Sequence, residues 1–103
     1  MVRADLSPGQ QAVQAMHALR EFVQVHPQID GDWYQSSNTL ALLSVPTLED
    51  LSALRTTAGL RGIPYAEFRE PDLRDELTAV ALAPGADTSK LCRSLALALR
   101  QDR

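Results

Sequence analysis

Lysine is almost missing from this chain. Lys90 is the only one in 103 residues, and the remaining basic side chains are arginines. A catalytic lysine therefore has one candidate, at the start of what reads as the last helix. Cysteine is as scarce. With Cys92 alone, no intrachain disulfide forms and no cysteine-based zinc site exists. Two histidines, His17 and His26, stand too far apart to support a metal site. No apolar run approaches the roughly 18 residues of a membrane-spanning helix. Met1 is followed at once by charge at Arg3 and Asp5, so no signal peptide is expected, and cytoplasmic residence is the expectation.

Basic excess is also lacking. Asp and Glu outnumber Lys and Arg by 13 to 10, for a net charge of -3. Broad, non-specific nucleic-acid binding is disfavoured by that balance, whereas a local patch of arginines is not. What is present suffices for one folded domain spanning residues 1–103. Hydrophobic residues make up 45% of the chain, enough to exclude a disordered polymer.

Along the chain, Met1–Leu6 alternates as a short strand. Ser7 and Pro8 then fit the N-cap and first position of a helix running to about Val25. Its apolar set is Val13, Met16, Leu19, Phe22 and Val23. Pro27 ends it, and residues 27–38 have the composition of a loop. Thr39–Val45 reads as a strand buried on both faces. Thr47 caps a second helix with Leu48, Leu51, Leu54 and Ala58 inward, closed by Gly59 or Gly62. Ile63–Arg69 alternates as a strand, a charged connection follows, and Leu77–Ala83 is a further apolar strand. The last helix starts near Asp87, Thr88 or Ser89 and carries Leu91, Leu95, Ala98 and Leu99 inward.

The order is strand, helix, strand, helix, strand, strand, helix. It predicts an α/β layer fold with a four-stranded mixed sheet covered by helices on both faces. Each strand–helix–strand unit should join parallel strands that are neighbours or one place apart. The last two strands should form an antiparallel hairpin.

Three segments carry a family resemblance. They are Arg3–Ala18 (RADLSPGQQAVQAMHA), Leu60–Leu73 (LRGIPYAEFREPDL) and Glu76–Pro84 (ELTAVALAP). Together they resemble the type 2 peptidyl-tRNA hydrolases over nearly the whole chain. Arg3, Asp5, Leu6, Gly9, Gln14, His17 and Ala18 match the opening strand and helix, and Thr78 matches the threonine of the final strand. The resemblance implies a four-stranded mixed sheet, often as a homodimer. It also implies hydrolysis of the ester joining a peptide to the terminal ribose of tRNA, without a cofactor or metal.

Two departures stand out. The family turn carries lysines, and Gln10 occupies the place of the one implicated in catalysis or tRNA contact. The family's Asp-Ala-Gly turn reads Glu70-Pro71-Asp72 here, in a shortened loop. Glutamine donates a hydrogen bond to an oxyanion but brings no charge.

Ester hydrolysis needs an activated water and donors for the oxyanion. Asp72 or Glu70 is the candidate base, against the plainer reading of a solvated acidic turn. Gln10, His17 and Thr78 complete the candidate catalytic set, and Gln14, Arg69 and Asp5 the substrate-binding one. Each has a structural reading as well. His17 can be a helix histidine with a local partner, Thr78 an ordinary strand residue, Asp5 a brace for the first helix. Arg69 is expected to pair with Asp72 or Glu70. Trp33 and Tyr34 can stack on a base or tuck onto the core. The rival to a hydrolase is an inactive scaffold acting as a binding or regulatory dimer. A hydrolase for a smaller ester or amide is a third reading.

Overall fold

The computed structural model describes residues 1–100. Its core is laid down by one long helix and one hairpin. Helix α1 (Pro8–Val25) starts where Ser7 caps it, the Ser7 hydroxyl accepting from the Gln10 backbone N–H, with Pro8 at the first helical position. Pro27 leaves His26 outside helical geometry, at φ -127° and ψ 59°. The face of α1 turned to the sheet is Gln11, Gln14, Ala18 and Phe22. This corrects the face read from the sequence: Val13 and Met16 point to solvent. The two glutamines go inward because both have hydrogen-bond partners there, which removes most of the cost of burying an amide.

The hairpin pairs β3 (Tyr65–Glu70) with β4 (Glu76–Leu82), antiparallel as expected. Between them lies one 3-10 turn, Pro71–Leu73. Arg74 and Asp75 follow in the left-handed region, which lets the Asp75 N–H reach the Glu70 carbonyl and close the turn. Strand β1 (Val2–Arg3) pairs antiparallel with β4 and parallel with β2 (Leu43–Val45). The β2 strand is shorter than the Thr39–Val45 expected, and only Val45 in it is fully buried. Helix α3 (Leu48–Leu60) begins at Thr47, whose hydroxyl accepts from the Asp50 N–H. It ends on Gly62, at φ +70°.

Four expectations need correction. Residues read as a loop form α2 (Pro27–Ser36), with Pro27 in its first turn and Ile29 packed beside Phe22. The last helix, α4 (Ala86–Cys92), follows Gly85 without a side-chain cap and stops early; Thr88 bonds back to the Ala83 carbonyl instead. The chain then turns into β5 (Ala96–Leu97), antiparallel to β2. The sheet accordingly has five strands in the order β3-β4-β1-β2-β5, one more than expected. Strands β2 and β3, linked by α3, are separated by two others rather than by one.

Helices cover both faces, as expected. On one face α1 packs Ala18 and Phe22 over Val2, Ala66 and Ala79. On the other, α3 places Leu51 against Val45, Leu77 and Val80. Burying each such aliphatic side chain stabilises the fold by about 1.5–3 kcal/mol.

The hairpin carries one irregularity. Phe68 faces Ala79, but Arg69 faces Leu77, so Thr78 is an extra residue in β4. This bulge breaks the alternation of the pleat. Thr78 and Ala79 consequently both turn toward α1, while Leu77 and Val80 pack toward α3.

Candidate active site

The first turns of α1, the end of β1 and the start of β4 meet at one end of the sheet. Thr78, fully buried, reaches Gln14 Oε1 at 2.7 Å and the Phe68 carbonyl at 3.2 Å. A hydroxyl has one proton to donate, and the shorter contact is to Gln14. Gln14 is itself only 4% exposed. Its Nε2 has no protein partner among the described residues, yet no buried side-chain nitrogen or oxygen among them lacks one. That nitrogen is therefore not fully enclosed. One turn further along α1, the exposed His17 ring stacks on Phe68, with centroids 4.4 Å apart and planes 11° from parallel. Gln14, His17, Phe68 and Thr78 form one connected group.

Beside it is a charged anchor. Arg3, 7% exposed, holds Asp5 through two nitrogens at 2.9 and 3.0 Å and Glu76 at 2.7 Å. It also donates to the Leu77 carbonyl, tying β1 to β4 across the site's floor. Hydrogen bonding from Arg3 holds the Asp5 carboxyl below its ordinary value, against a smaller opposing effect of burial. Asp5 thus pairs with Arg3, whereas the brace on α1 comes from Ser7 and from Gln11 Nε2, which donates to the Leu6 carbonyl at 2.7 Å.

The remaining residues lie at the rim. Gln10 is exposed on the first turn of α1, and its side chain has no hydrogen bond among the described residues. Asp72 is exposed and Glu70 partly buried, and neither side chain has a hydrogen bond or ion pair among the described residues. Arg69 pairs with Glu67 at 2.6 Å instead of Asp72 or Glu70. The reason is the pleat: positions 67 and 69 share the α3 face of β3, where Arg55 also bonds Glu67. Around the site, Asp5, Glu70, Asp72, Asp75 and Glu76 stand against Arg3, Arg69 and Arg74. Of these arginines only Arg74 has no carboxylate partner among the described residues.

Phe68 is the residue that sequence reasoning missed. Its alternation in IPYAEFR marked it as inward-facing, which hides a ring that packs beside the Val2, Ala18 and Ala79 cluster and also stacks with His17. Trp33 is outside the group, its indole N–H donating to the Thr39 carbonyl. Two shallow grooves lie elsewhere, one lined by Pro64, Pro84 and Gly85, the other between α3 and α4. No described helix is long and apolar enough to cross a membrane. No cluster of three or more His, Cys, Asp or Glu suited to a metal occurs among the described residues. No family model matches the chain, and no curated protein matches it closely enough to count as a relative.

Proposed function

We propose that the chain is a type 2 peptidyl-tRNA hydrolase-like domain that hydrolyses the ester between a peptide or aminoacyl group and tRNA. One observation carries this reading. Gln14 and Thr78, which the resemblance places at the site from distant segments, are joined by a buried hydrogen bond.

In this reading Thr78 is a positioning residue, since it is too deeply buried to touch substrate. It fixes the Gln14 amide, whose Nε2 is not fully enclosed. Two N–H donors held in place there can stabilise the oxyanion that forms when water attacks the ester carbonyl. Asp72, or Glu70 beside it, accepts the proton of that water and returns it to the ribose oxygen as the acyl–oxygen bond breaks, releasing the acid and the free tRNA 3′ end. Gln10, in the lysine's place, adds a neutral donor at the rim.

The rim's acidic balance favours a second reading, an inactive scaffold acting as a binding or regulatory dimer. Release of an N-blocked aminoacyl group from tRNA separates the two. The hydrolase reading expects release well above buffer by the wild type and a fall of tenfold or more in Asp72→Asn. No release by the wild type, with release appearing in Gln10→Lys, identifies a catalyst that lost its lysine. No release by any variant leaves the scaffold reading.

A further inference from the structure

We infer that His17, backed by Phe68, is a stacking platform for the unpaired terminal base of an RNA 3′ end. The inference rests on the hydrolase reading and concerns how that site grips its substrate.

Three observations converge. The His17 ring lies nearly parallel on Phe68 at 4.4 Å, so its plane is fixed. His17 is exposed, so part of the ring is open to solvent beside its contact with Phe68. Gln14 lies three residues earlier on the same side of α1, and its amide nitrogen is not fully enclosed. A flat ring with a neighbouring donor suits a nucleobase, which offers a π-face and hydrogen-bonding edges.

The charge around the site explains why stacking has to do this. RNA is ordinarily held through its phosphates, by free cations. Here Arg3 is committed to Asp5 and Glu76 and Arg69 to Glu67, which leaves Arg74 as the single arginine around the site without a carboxylate partner among the described residues. Stacking needs no net charge and is tolerant of which base is offered. A single stacked base is worth roughly tenfold to a hundredfold in affinity.

A structural role for His17, as a cover for Phe68, makes a different prediction, and one pair of variants separates the two. His17→Leu still covers Phe68 with an apolar side chain but has no π-face. His17→Tyr keeps both. The probes are the trinucleotide CCA and the same oligomer with an abasic 3′ end, titrated into the folded protein and followed by backbone amide shifts.

Stacking predicts that the wild type binds CCA at least tenfold more tightly than the abasic oligomer. His17→Leu should lose that margin and His17→Tyr should keep it. Affinity should depend only weakly on salt, because few phosphates are contacted. Equal binding of the two probes by the wild type, no binding of CCA, or full affinity in His17→Leu overturns the inference. The hydrolase reading fails separately. CCA binding through His17 without ester release sinks the hydrolase and keeps the platform. Ester release with the same KM in His17→Leu sinks the platform and keeps the hydrolase.

Discussion

The Thr78 hydroxyl donates to Gln14 Oε1 at 2.7 Å, linking residues 64 positions apart through a fully buried bond. Removing the hydroxyl leaves an amide oxygen without its partner in the interior. Thr78→Val should therefore cost about 1–3 kcal/mol, although the shapes match. Adding Gln14→Leu should recover part of that loss, because the orphaned amide is gone. Urea melts of the two single variants and the double variant check this. Strict additivity would show that the two side chains are not coupled.

Acid should loosen the anchor at Arg3. Hydrogen bonding from Arg3 depresses the Asp5 pKa below its ordinary value of 3.8. A carboxylate depressed on folding stabilises the fold above its unfolded pKa. That contribution is lost as pH falls through the folded value. Stability of the wild type should drop below about pH 4, and Asp5→Asn should show a smaller drop over the same window. With 43% of the Asp5 side chain exposed, solvent screening keeps the difference at neutral pH to about 1 kcal/mol or less. Urea midpoints between pH 6 and pH 2.5 give the comparison, and parallel curves would contradict it.

Gly62 ends α3 by a backbone requirement rather than a packing one. Its φ is +70°, and a Cβ there would meet nothing within 4 Å. The Ile63 N–H bonds the Ala58 carbonyl and the Gly62 N–H bonds the Gly59 carbonyl, the paired closure of a left-handed helix end. Gly62→Ala should cost about 1–2 kcal/mol from strain alone, and Gly62→Asn less. Thermal melts that rank the two variants the other way would refute this.

Much of the fold was legible where one residue type has a single local use. Ser7 with Pro8, and Thr47, mark helix starts, and Gly62 marks an end because few other residues tolerate its backbone. The rest depended on pairing that local chemistry does not reveal. Residues 27–36 carry Pro, Asp and Gly, which read as turn, yet Pro27 is also a good first helical residue and Ile29 has a core to join. Leu95 and Ala98 fit a helix face by spacing, but β2 offered an open edge, and Ala96–Leu97 took it.

For the candidate site, the sequence offers residues and not a geometry. Gln14 was named as a candidate, but its buried bond to Thr78 comes from a segment 64 residues away and cannot be read from α1 alone. The bulge is the clearest case. Regular alternation from Leu77 would have sent either Thr78 or Ala79 to the α3 face, and only the register against β3 turns both to α1. Arg69 was matched with Glu70 and Asp72, whereas the pleat presents it to Glu67.

The hydrolase reading stands or falls on the rate of ester release from N-blocked aminoacyl-tRNA by the wild type, Thr78→Ser and Thr78→Val, at a temperature where all three are folded. Serine keeps the hydroxyl that orients Gln14, and valine keeps the shape without it. Positioning by Thr78 predicts release by the wild type well above buffer and Thr78→Ser within a few fold of it. Thr78→Val should be slower by about ten- to a hundredfold, the size of one lost positioning hydrogen bond. Equal rates for serine and valine, or a wild type no faster than buffer, would contradict it.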